Sequence, residues 1–115
     1  MATLATKKSV ARGQRLKLTD APITGTGTID FDVPGSTGAD WSAIFQLVGT
    51  LGASGASDLQ ISLDGGTTFS PFLVTASFLP AAVTFKEVTS MVAGVLFRIN
   101  VSVAYTSVDI WICRN

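Results

Sequence analysis

The sequence predicts an all-β fold: one domain built as an antiparallel β-sandwich of about eight strands, with a jelly roll as the expected topology, behind an extended N-terminal arm. Three observations carry this. Hydrophobic residues make up 47% of the chain and charged ones only 14%, so 115 residues have ample apolar surface for a single core. Gly, Ser and Thr recur throughout, as suits short strands joined by small-residue turns. Apolar and polar residues alternate in stretch after stretch, and no helical period outlasts a turn or so near Glu87–Val92. An immunoglobulin-like sandwich is the competing arrangement, although the paired cysteines of antibody domains are missing.

Residues 1–14, MATLATKKSVARGQ, have no sustained period and are expected to form an arm that orders against a partner, leaving 15–115 as the sandwich domain. The first strand is Arg15–Thr19, with Leu16 and Leu18 on one face and Arg15 and Lys17 on the other; Asp20-Ala21-Pro22 ends it. Thr28–Val33 is the cleanest alternation, burying Ile29, Phe31 and Val33 and exposing Thr28, Asp30 and Asp32. Trp41–Thr50 sets Trp41, Ala43, Phe45 and Leu47 against Ile44, Gln46 and Val48. Apolar groups on both faces suit a central strand or one that faces a second protein.

In the next hairpin Leu59, Ile61 and Leu63 point one way and Gln60, Ser62 and Asp64 the other. Asp64-Gly65 or Gly65-Gly66 predicts a two-residue turn, and Pro71 in the return strand Thr67–Val74 places that strand at an edge or bulge. Val83–Val88, Leu96–Val103 and Ser107–Arg114 complete the series. The last turns Val108, Ile110 and Ile112 inward and Asp109, Trp111 and Cys113 outward, which makes Trp111 a candidate contact residue.

The composition argues against chemistry. There is no histidine, which removes the usual general base, the commonest metal ligand and the Ser-His-Asp arrangement together. The lone Cys113 permits no intrachain disulfide and reads as a packed thiol. Asp30 and Asp32 lie side by side on one strand face, but the six or more oxygen ligands of calcium are not identifiable. No enzyme activity, cofactor or metal is expected. The apolar run Phe69–Val83 is broken by Pro71 and Pro80, so no membrane helix is expected, and no apolar block follows the early lysines as in a secretory signal. Assembly in a cytoplasm is therefore expected.

A net charge of zero hides a division. Lys7, Lys8, Arg12, Arg15 and Lys17 precede every acid, giving residues 1–19 a charge of +5 and the remainder, with three bases and eight acids, −5. A basic leader on an acidic body suits attraction to an acidic partner. The leader carries no aromatic residue and the aromatic-bearing body is negative, so nucleic-acid binding is not expected.

The segment LQISLDGGTTFSPF, a following apolar hairpin and the terminal strand VDIWICRN resemble small virion proteins of tailed bacteriophages, over the body from about Arg15 to the end. The resemblance implies a capsid decoration, or cement, protein of jelly-roll type: a homotrimer on the virion whose arm bridges neighbouring subunits of the major capsid protein. The implied partner-binding residues are Leu4 and Val10, filling shallow pockets, the bases Lys7, Lys8, Arg12, Arg15 and Lys17, and Trp111. A head-tail joining or tail role is a variant of the same reading. A carbohydrate-binding sandwich is the alternative, and it requires outward aromatics among Trp41, Phe69, Phe72 and Trp111 to share one platform.

Overall fold

The computed structural model describes residues 2–35, 40–72, 78–80 and 84–115. Among them are nine strands and no helix: β1 (Lys8–Ser9), β2 (Arg15–Lys17), β3 (Gly27–Asp32), β4 (Asp40–Thr50), β5 (Ala56–Ser62), β6 (Ser70–Pro71), β7 (Phe85–Val92), β8 (Leu96–Val103) and β9 (Ser107–Arg114). Strands β2 to β5 run out as one side of a long ribbon and β6 to β9 return along it, pairing β5 with β6, β4 with β7, β3 with β8 and β2 with β9, all antiparallel. Two further antiparallel pairings, β4 with β9 and β5 with β8, fold the ribbon across itself. The result is two sheets, ordered β2-β9-β4-β7 and β1-β3-β8-β5-β6.

Alternation decides which side of each sheet is apolar. Ile29 and Phe31 of β3, Leu59 of β5, and Phe97, Ile99 and Val101 of β8 face Ala43, Phe45 and Leu47 of β4 and Val108, Ile110 and Ile112 of β9; all are buried. Aromatic rings join the two layers. Phe31 lies 6.0 Å from Phe45, and Trp41 meets Phe97 edge-on at 6.1 Å. Tyr105 is buried and donates its hydroxyl hydrogen bond to the Leu79 carbonyl, tying the β8–β9 connection to the core.

The N-terminal segment lies on its own body. The β1 strand pairs parallel with β3, Lys8 beside Phe31 and Ser9 beside Asp32, and Thr3 bridges to Thr28. Thr28 donates to the Ala2 carbonyl, Leu4 to the Thr28 carbonyl and Val10 to the Asp32 carbonyl, so the leader covers an edge that would otherwise offer open backbone groups. Gly27 permits the close approach: its φ is +154°, and a Cβ there would run into the Ala2 carbonyl and the Leu4 side chain.

Other expectations are corrected locally. Strand β5 stops at Ser62, which is buried, while Leu63 is 79% exposed. The two-residue turn is replaced by a longer loop, because the Asp64 carboxylate accepts hydrogen bonds from Ser62 Oγ and from the Thr67 and Thr68 amides. These donors hold its pKa at about 2. Of the expected Thr67–Val74 strand, Ser70–Pro71 pairs with β5 and the Phe72 amide donates to the Leu59 carbonyl; residues 73 and 74 fall outside the described residues, as does Val83. Glu87–Val92, the one place with a hint of helical period, is part of β7, held by pairing with β4. Cys113 is exposed rather than packed.

Candidate functional site

The outer faces of the two sheets differ in kind. On the β1-β3-β8-β5-β6 sheet, Arg98 donates to both carboxylate oxygens of Asp30, at 2.7 and 3.1 Å, and its guanidinium sits 3.6 Å from the centre of the Phe69 ring. Asn100 and Gln60 continue that polar surface, with Asn100 Oδ1 buried and without a hydrogen-bond partner among the described residues.

The β2-β9-β4-β7 sheet presents a different surface. Its register sets Arg15, Cys113, Ile44 and Glu87 in one row across four strands, and Lys17, Trp111, Gln46 and Phe85 in the next. Val48 stands opposite Asp109 one row further along. Ile44 is 46% exposed, Val48 44% and Phe85 61%, so the sheet carries an apolar face to solvent. A shallow depression of about 410 Å³ runs between Arg15, Ile44, Gln46, Val48, Trp111 and Cys113. Bases on β2 bound one side of the face and Glu87 on β7 the other.

The leader's bases are strung along the edge strands of both sheets. Lys8 forms a 2.6 Å ion pair with Asp20 and also reaches the Leu18 carbonyl, which brings β1 against the start of the β2–β3 connection. Lys7 lines a cleft of about 340 Å³ with Asp32, Pro34 and Leu96, and Arg12 is exposed in the turn Ala11–Gln14. Among the described residues, Lys7, Arg12, Arg15 and Lys17 have no carboxylate within ion-pair distance. Arg15 and Lys17 thus form a positive margin beside the apolar face, while Lys7 opens onto the other sheet.

The residues implied as partner contacts thus separate. Arg15, Lys17 and Trp111 come together on the outer face. Val10 is fully buried in this chain's own core and Leu4 packs against that core, so in this conformation neither offers a side chain to another subunit's pocket. Lys8 spends its charge on Asp20. Ile44 and Val48 had a sequence signal, the two-faced apolar pattern of Trp41–Thr50. Phe85 had none, because its place beside Gln46 follows from pairing with a strand some forty residues away in sequence.

Asp20 anchors the leader. Its carboxylate accepts from Lys8 Nζ at 2.6 Å and from the Thr6 amide at 2.7 Å, and these bonds, the lysine's first, hold its pKa at about 2. A lowered folded pKa contributes stability that is present above the ordinary carboxylate value of 3.8 and is lost as pH falls toward 2. Amide protection at Leu4 and Val10 is therefore expected to persist at pH 4 and to fall near pH 2. At neutral pH, Asp20→Ala is expected to speed tryptic cleavage after Lys7, Lys8 and Arg12 several-fold; cleavage at the parent rate would mean that the backbone pairing alone holds the leader.

No family model matches this chain, and no curated protein matches it.

Proposed function

We propose that this chain is a structural virion protein, a capsid decoration or cement protein that binds across the boundaries of neighbouring shell subunits and acts as part of a homo-oligomer. The observation that carries the reading is a set of free bases: Lys7 and Arg12 of the leader and Arg15 and Lys17 of β2 have no carboxylate within ion-pair distance among the described residues, on a body whose remaining charge is negative. A shell filled with packed DNA fails when adjacent subunits separate, and a molecule bound to both opposes that separation by its binding free energy. Such work needs adhesive surface and no reacting group.

The strand order supports the jelly-roll form of this reading. With β1 set aside, β2-β9-β4-β7 and β3-β8-β5-β6 are the orders produced by rolling one eight-strand antiparallel ribbon, an architecture that viral capsid domains use. Lectin-like domains use it too. The carbohydrate reading, however, needs a shared aromatic platform, and these aromatics are dispersed: Trp41 is buried, Phe72 packs edge-on against Phe97, Phe69 lies under Arg98, and Trp111 is on the opposite sheet. Head-tail joining is the nearest variant.

The test is co-sedimentation of the chain with shells of its source phage assembled without it. Saturable binding is expected, weakening with salt as these bases are screened. The double variant Lys7→Glu/Arg12→Glu, both exposed, is expected to bind roughly tenfold more weakly at low ionic strength. Absence of saturable binding at every salt concentration overturns the reading, and binding confined to the tail vertex redirects it to head-tail joining.

A further inference from the structure

We infer that the outer face of the β2-β9-β4-β7 sheet is a self-association surface, on which a second copy of this chain sits face to face about a two-fold axis parallel to the strands. The inference does not depend on the virion reading. It rests on the contrast between the two sheets: one outer face is polar and carries an ion pair and a cation–π contact, while the other leaves Ile44, Val48 and Phe85 bare.

Charge placement selects both the occupant and the axis. Two rows of the face run from a base on β2 to β7, where Glu87 stands in the row of Arg15 and Phe85 in that of Lys17; the third row holds Asp109 and Val48. An axis perpendicular to the strands would lay β2 on β2 and oppose Arg15 and Lys17 to their own copies, a like-charge contact. An axis parallel to the strands, between β9 and β4, lays β2 on β7. Arg15 of one copy then meets Glu87 of the other, and Cys113 lies over Ile44. The Arg15–Glu87 row is thus complementary to itself, as an isologous interface requires, while Val48 of one copy lies over Asp109 of the other.

The area is sufficient but small. At about 3.3 Å per residue along β9 and about 4.8 Å between strands, the face spans roughly 500 Å², and two such faces bury about 1,000 Å². That is near the lower bound for a specific interface, so the pair forms in a concentration-dependent manner. Sheets stacked about 10 Å apart and offset by one strand put the two Cys113 Cα atoms about 11 Å from each other. A disulfide cannot span that distance, whereas a short bis-maleimide can.

Sedimentation velocity of the full chain, from sub-micromolar to several hundred micromolar, is the test. A monomer–dimer equilibrium is expected, with bis-maleimide joining pairs through Cys113. Val48→Asp, on the exposed face, is expected to weaken the dimer at least tenfold. Arg15→Glu and Glu87→Arg are each expected to weaken it several-fold, and the double exchange to restore it. A monomer at every concentration overturns the inference, as does the trimer expected from the resemblance. A double exchange no tighter than either single variant overturns the two-fold axis. Because no shell is involved, these outcomes are independent of those for capsid binding.

Discussion

Replacing Phe97 with Ala is expected to cost about 3–5 kcal/mol, at the upper end for truncation of a buried side chain. Phe97 has no exposed surface. It stacks on Phe31 at 5.6 Å, meets Phe72 edge-on at 5.5 Å, and receives Trp41 from the facing sheet. Removing the ring takes away three aromatic contacts together and leaves a void that strands held on both flanks by β3 and β5 cannot close. A domain of this size has about 5–15 kcal/mol in total, so the melting temperature is expected to drop by roughly 10–25 °C. Denaturant unfolding followed by tryptophan fluorescence checks this. A midpoint change worth less than about 1.5 kcal/mol would mean that the sheets close over the gap.

Arg114→Met is expected to be the next most damaging change, at about 2–4 kcal/mol. Arg114 is 4% exposed at the end of β9, where its guanidinium Nη1 donates at 2.8 Å to both the Val10 and the Pro34 carbonyls. The guanidinium also lies 4.9 Å from the centre of the Trp41 ring. One charged group thus ties the leader, the end of the β3 segment and the core aromatic to the last strand. Methionine keeps much of the apolar stem but leaves two carbonyls without a donor. The unfolding midpoint should fall, and tryptic cleavage after Arg12 should accelerate beyond what Asp20→Ala produces. If stability falls while cleavage stays at the parent rate, Arg114 supports the core and not the leader.

Much of the strand pattern was legible because alternation is local. Ile29, Phe31 and Val33 are buried where the period places them, as are Phe97, Ile99 and Val101, and Val108, Ile110 and Ile112, whereas Val103, which the same period would bury, is 43% exposed and Thr28, which it would expose, is buried. The leader has no period, so the sequence carries no sign of its pairing with β3. Its order comes from the β3 edge and Asp20, and an edge pairing through backbone groups leaves little trace in side-chain pattern. The turn at Asp64 was misread for a related reason: a carboxylate gathering three donors outweighs the preference of Asp-Gly for a tight hairpin.

The candidate face divides along the same line. That Trp111 points outward, and that β4 has apolar groups on both sides, followed from alternation alone. That Arg15, Cys113, Ile44 and Glu87 form one row did not, since these positions are brought together only when the ribbon folds across itself. Period two states which residues of a strand share a side. Which strand lies beside it, and in what register, is decided by closure of the whole core, because a pairing offset by one residue would turn every buried side chain toward water. The amino-acid order by itself determined an all-β chain with a basic leader and an outward Trp111. Only the tertiary structure decided that the leader folds onto its own sheet and that the bare apolar face has a base at one margin and an acid at the other.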